Sequence, residues 1–87
     1  MTDDYAGSTV LITGGTGSFG STMVRRLLGL GAAEVRILSR DEAKQDDLRR
    51  ALGDDRARFY VGDVRDLASV TDAMRGVDLV FHAAALK

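Results

Sequence analysis

Eighty-seven residues, 45% of them apolar and 29% charged, suffice for one small domain with a core and leave no room for a two-domain enzyme. Twelve basic against thirteen acidic residues give a net charge of −1, which offers no electrostatic basis for nucleic-acid or anionic-membrane binding. Cysteine is absent, excluding disulfides, thiolate catalysis and zinc–thiolate sites together. No apolar run approaches the roughly 20 residues of a membrane span. Residues 1–5 carry acids rather than a hydrophobic stretch, unlike a secretory signal, so a cytoplasmic location is expected.

Residues 1–7 are polar and expected to be flexible. Thr9–Thr13 is a β-branched run apolar on both faces, the pattern of a strand buried on both sides. A glycine-rich turn follows, and residues 18–30 then carry Phe19, Met23, Val24, Leu27 and Leu28 on one helical face with Arg25 and Arg26 outward. Gly29 and Gly31 are stop signals. Glu34–Ser39 reads as a second strand. Residues 41–52 read as a polar helix, acids first and Arg49 and Arg50 last, with a thin apolar face of Ala43, Leu48, Ala51 and Leu52 and Gly53 closing it. Residues 58–61 are a third strand. Asp66 caps a third helix bearing Leu67, Val70, Ala73 and Met74. Residues 77–82 are a fourth strand. Strands alternating with helices predict an α/β fold: a parallel sheet of about four strands with three helices, joined by right-handed crossovers, with no internal domain boundary.

The segment Thr13-Gly14-Gly15-Thr16-Gly17-Ser18-Phe19-Gly20 carries the chemistry. A pyrophosphate needs backbone N–H groups aimed at it, no Cβ in the way and a helix N-terminus behind it. Gly14 permits the tight exit from the strand, Gly17 the approach of phosphates, and Gly20 close packing of helix on sheet. The nucleoside-triphosphate motif is excluded because its lysine position holds Ser21. About 20 residues further on, where an NAD site carries an acid, stand Ser39 and Arg40. A neutral donor and a guanidinium suit a 2′-phosphate, so NADP is expected over NAD. Asp41 follows at once, and as a helix cap its carboxylate should turn toward its own helix. At the end of the third strand Asp63 is placed to accept from an adenine amino group while Val64 covers the ring. Ala83 and Ala84, leaving the fourth strand, let a flat nucleoside or phosphate lie against the backbone, and Lys87 could contact substrate. His82, the one histidine, lacks any nucleophile or metal-ligand cluster and is assigned no acid–base role; no catalytic or metal-binding residue is assigned.

Together these motifs resemble the extended short-chain dehydrogenase/reductase family over residues 8–87, in which they would form the N-terminal half of a Rossmann fold. Ser18-Phe19 in the loop, Ser39-Arg40-Asp41-Glu42 running into Lys44-Gln45-Asp46-Asp47, Gly62-Asp63-Val64-Arg65-Asp66 and His82-Ala83-Ala84-Ala85-Leu86-Lys87 look like the polysaccharide-biosynthesis UDP-N-acetylglucosamine 4,6-dehydratases. That resemblance implies oxidation of a UDP-sugar at C4 by NADP, loss of water across C5–C6 and return of the hydride at C6, with inversion of C5 in some members. It also implies a homo-oligomeric parent. The family's Tyr-x-x-x-Lys is absent: the tyrosines are Tyr5 and Tyr60, followed four residues later by Thr9 and Val64. The expectation is therefore a cofactor-binding N-terminal portion with no dehydratase activity of its own, prone to self-associate through its fourth strand. Alternatives are a nucleotide-sugar epimerase or reductase of the same superfamily, and a non-catalytic NADP-binding sensor or interaction module.

Overall fold

The computed structural model describes residues 5–14 and 17–83. Strands β1 (Thr9–Thr13), β2 (Glu34–Ser39), β3 (Ala57–Val61) and β4 (Leu79–His82) alternate with helices α1 (Ser18–Gly29), α2 (Glu42–Leu52) and α3 (Leu67–Ala73). All pairings are parallel, and the order across the sheet is β3-β2-β1-β4. The chain thus moves from β1 outward to β3 and then crosses to the other side of β1, which opens a crevice at the carboxyl ends of the strands where the direction reverses.

Side-chain alternation divides the core between the two sheet faces. Val10, Ile12, Val35 and Ile37 pack with Val24, Leu27 and Leu28 of α1, and Phe59 and Phe81 extend that layer. Leu11 and Leu38 point the opposite way, onto Ala73 of α3, with Tyr60, Val70 and Val80 beside them. Val10, Leu11 and Ile12 are fully buried, as the two-sided apolar run predicted. Arg36 also projects to the α3 face. Its Nη1 donates to the carbonyls of Ala73 (2.9 Å) and Arg75 (2.6 Å), tying the end of α3 to the sheet, while Nε donates to Glu34.

Helix faces differ from the sequence pattern at several positions. Phe19, expected on the core face of α1, is 53% exposed, and the buried face is Gly20, Val24, Leu27 and Leu28. On α2 the buried residues are Gln45 and Leu48, with Ala43 and Ala51 outside. On α3, Leu67 and Met74 are exposed and the helix stops at Ala73, a short element with one wholly buried side chain. β4 starts at Leu79 rather than residue 77, because the Val77 N–H is still engaged by the Met74 carbonyl in the turn after α3; Asp78 then meets β1, its N–H donating to the Thr9 carbonyl as its carboxylate accepts from the Thr9 N–H. Tyr5, in the segment expected to be flexible, packs against the core, and Ala6 forms an isolated bridge to Ala32. The caps follow the predicted chemistry: Asp41 accepts from Lys44 N–H, Asp66 from Ala68 N–H, and Gly53 closes α2 at φ 55°. Among the described residues no helix is long and apolar enough to cross a membrane.

Candidate functional site

A cleft of about 730 Å³ lies over the carboxyl ends of the strands. Its floor is the turn from β1 into α1, with Gly14, Gly17, Ser18, Phe19 and Gly20; its sides are Ser39, Arg40, Asp41 and Lys44 after β2 and Gly62, Asp63, Val64 and Arg65 after β3. Ala83 borders it beyond β4. Four connections remote in sequence converge here because parallel pairing brings every strand's C-terminal end to one edge.

Gly14 takes φ 73°, a conformation costly for any residue with a Cβ, and its N–H donates to the Leu38 carbonyl at 2.8 Å. The chain is thereby bent off β1 and held against the end of β2. Gly17 is the N-cap of α1 at φ −78°, where any residue would be comfortable, and a Cβ there would meet nothing within 4 Å. Neither backbone nor packing calls for glycine at this position, and its main chain borders the open cleft. No side chain caps α1 and no acid stands in its first turn, so the positive end of the helix faces the cleft uncompensated.

The electrostatics of the walls follow from a few pairs. Asp41 is occupied as the cap of α2, its Oδ1 accepting from Lys44 N–H at 3.0 Å. Asp63 accepts from the Arg65 backbone N–H (2.9 Å) and guanidinium (2.8 Å), with Arg40 3.7 Å away. These bonds, chiefly those from Arg65, lower the Asp63 carboxyl to about 2, so it stays anionic in neutral solution. Arg40 is 71% exposed and Lys44 also borders the cleft, so two cations border the end of β2. Among the lining residues three cations face two carboxylates, one of them committed to its helix.

Of the residues anticipated from sequence, Gly14, Gly17, Ser18, Phe19, Gly20, Ser39, Arg40, Asp63, Val64 and Ala83 line this cleft together. Thr13 does not: it is 3% exposed, and its Oγ1 lies 3.0 Å from His82 Nδ1, tying the end of β1 to that of β4 beneath the glycine turn. Ala84 and Lys87 lie outside the described residues. Sequence inspection missed Lys44 and Arg65. Lys44 is three residues beyond the cap Asp41, in the first turn of a helix starting at the cleft, a position that counting from the cap would have found. Missed too was Gln45, 1% exposed, whose Nε2 reaches Ser39 Oγ at 2.9 Å and the Tyr60 carbonyl at 2.8 Å. Among the described residues no group of three His, Cys, Asp or Glu side chains is placed to hold a metal.

A family model described as "Polysaccharide biosynthesis protein" matches residues 10–87. A protein named UDP-glucose 4-epimerase from Rickettsia bellii is 54% identical over 95% of this chain, and its namesake from Rickettsia conorii is 53% identical. The chain covers 26% of each, about a quarter of their length. Among solved structures, Pen from Bacillus thuringiensis superposes with a TM-score of 0.89 at 37% identity, over 97% of this chain and 26% of that one. The Bordetella bronchiseptica enzyme WbmF, solved in complex with NAD+ and UDP, superposes with a TM-score of 0.73 at 27% identity, over 93% of this chain and 24% of that one. The chain belongs to the polysaccharide biosynthesis protein family, and its fold is a Rossmann-like α/β unit.

Proposed function

We propose that this member of the polysaccharide biosynthesis protein family supplies the NADP-binding part of a nucleotide-sugar 4,6-dehydratase that acts on UDP-N-acetylglucosamine. The observation that carries the proposal is the convergence, in one cleft, of an uncapped helix N-terminus with Arg40 and Lys44. The α1 N-terminus and the open space over Gly17 suit a pyrophosphate. Ser39, Arg40 and Lys44 suit a 2′-phosphate, and the two nearby acids are engaged elsewhere, Asp41 as the cap of its own helix and Asp63 chiefly with Arg65. Asp63 would accept an adenine amino group in exchange for one of the four bonds that Arg65 makes to its two oxygens, and Val64, 47% exposed, offers an apolar surface to the ring. Bound NADP would accept and return a hydride at the sugar; this chain's residues bind and orient it. The Tyr-x-x-x-Lys that would take the hydroxyl proton is not in this sequence and would belong to other parts of a longer enzyme, which would work as a homo-oligomer in the cytoplasm.

A second reading, UDP-glucose 4-epimerase, is favoured by the names of the Rickettsia relatives. Both reactions begin with oxidation at C4, so this part of the molecule serves either. Two measurements test the proposal. Fluorescence titration of the chain with NADPH and NADH should show tighter binding of NADPH, and loss of most of that preference in Arg40→Ala; equal or tighter NADH binding would refute the cofactor assignment. The longer enzyme, given UDP-N-acetylglucosamine, should release a keto product lighter by one water, whereas an epimer of unchanged mass would establish the second reading.

A further inference from the structure

Gln45 is an unusual residue to bury. It sits in the first turns of α2 at 1% exposure, and its Oε1 is the one buried side-chain polar atom without a partner among the described residues. Leaving such an atom dry is costly, so the rest of the amide must offset it. Its Nε2 faces three oxygens: Ser39 Oγ at 2.9 Å, the Tyr60 carbonyl at 2.8 Å and the Ser39 carbonyl at 3.4 Å. The Ser39 carbonyl already accepts from Gly62 N–H at 2.9 Å, so the two amide protons fall to Ser39 Oγ and the Tyr60 carbonyl. Reversal is disfavoured because it would set Oε1 against the Tyr60 carbonyl, an acceptor only, at 2.8 Å and leave both amide protons without these oxygens.

From this we infer that Gln45 is a positioning residue that fixes the polarity of Ser39 and so helps the cleft choose a phosphorylated ribose. A serine hydroxyl has one proton and can serve as donor or acceptor. With Gln45 donating to Oγ, the hydroxyl proton cannot point at the amide, and the hydroxyl makes no other hydrogen bond among the described residues. Ser39 lines the cleft beside Arg40, so it is offered there as a donor. A 2′-phosphate is an acceptor only, whereas a 2′-hydroxyl can donate or accept and gains little from a fixed donor. The same amide joins the ends of β2 and β3, holding Ser39 in register with the Asp63 turn.

The inference rests on the NADP proposal, and titration with NADPH and NADH separates the two. The wild type should prefer NADPH. Gln45→Met, which keeps the volume and removes the donor, should weaken NADPH binding about five- to tenfold while changing NADH binding less than about twofold. A residue acting only as strand-end packing would weaken both ligands alike. Adding Gln45→Met to Ser39→Ala should leave the NADPH-to-NADH ratio where Ser39→Ala alone puts it. An unchanged ratio in Gln45→Met, or equal weakening of both ligands, overturns the role of Gln45; a wild type without NADPH preference defeats the NADP assignment and this inference with it. Should circular dichroism show Gln45→Met unfolded, Ser39→Ala carries the test, because it removes the hydroxyl that Gln45 orients and keeps the amide's bond to the Tyr60 carbonyl. The ratio must then fall, and a retained ratio overturns the inference.

Discussion

Gly62 joins β3 to the cleft and touches α3 across the gap. A Cβ built on it would lie 2.7 Å from Ser69 Oγ, 2.8 Å from Ser69 Cβ and 3.3 Å from Leu38 Cδ1. Relaxed carbon–carbon contacts lie near 3.5–4.0 Å, so Gly62→Ala demands a shift of roughly 0.7 Å or more between the loop and the helix. Rotating the serine frees Oγ but leaves its Cβ, so α3 itself must move. That movement would disturb the cap, where Asp66 accepts from Ala68 N–H and from Ser69 Oγ. Overpacking of this kind costs about 1–3 kcal/mol, a large share of the roughly 4–13 kcal/mol expected for a domain of this size. Urea unfolding followed by circular dichroism reads the loss as a lower midpoint at constant slope. The second substitution identifies the atom responsible. Ser69→Ala should rescue Gly62→Ala only slightly, because Cβ remains. Ser69→Gly should remove most of the added penalty, although it costs about 1 kcal/mol in the helix by itself. An unchanged midpoint in Gly62→Ala, or equal rescue by alanine and glycine, would refute the close approach.

Arg36→Met should release the end of α3 by leaving the Ala73 and Arg75 carbonyls without their donor and removing the guanidinium 5.8 Å from the Tyr60 ring centroid. A cost of about 2 kcal/mol is expected, and amide exchange should accelerate in α3 before the β1–β2 core; uniform acceleration would contradict it. Acid should weaken the fold through Asp54 and Asp63, whose carboxyls Arg56 and Arg65 lower from 3.8 to about 2. A depressed folded-state value means their contribution is complete above about pH 4 and is lost as pH falls toward 2. The thermal midpoint should drop across that window, and less in Asp54→Asn or Asp63→Asn; identical slopes in variants and wild type would count against it. The 87-residue chain should self-associate at tens of micromolar, because β4 pairs only with β1 among the described residues and Leu79 is 41% exposed. A single monomeric species in sedimentation would contradict that.

Much of the site was legible in the sequence because its chemistry is local. Glycine spacing after a β-branched run, and the residues at the end of the next strand, fall at distances set by strand and helix length, so Gly17, Arg40 and Asp63 could be placed by counting. Phe19 was misplaced because helical periodicity assigns a face without knowing where the sheet stops. At the first turn of α1 that face overhangs the cleft rather than the core. Gln45 was invisible for the opposite reason. Its position three before Leu48 is a core position, yet the oxygens that make a glutamine suitable there belong to Ser39 and Tyr60, on two different strands. Thr13 was read correctly as the end of a strand but also as a cofactor contact, and register with His82 across β1 and β4 makes it a buried strand-end tie instead. Leu67 and Met74 followed the apolar pattern of α3, but a helix of seven residues presents too little length to bury both of its ends.

In the proposed site Arg40 and Lys44 receive the 2′-phosphate of NADP while the α1 N-terminus receives the pyrophosphate. Phosphorus NMR of NADP+ titrated with the chain tests both placements at once. The pyrophosphate and 2′-phosphate signals should both move on binding, the 2′-phosphate titrating at lower pH than in free solution because two cations favour its doubly charged form. In Arg40→Ala with Lys44→Ala the 2′-phosphate signal should return toward its free position while the pyrophosphate remains displaced. A 2′-phosphate that titrates as in free solution while the pyrophosphate shifts would rule out its seat on Arg40 and Lys44.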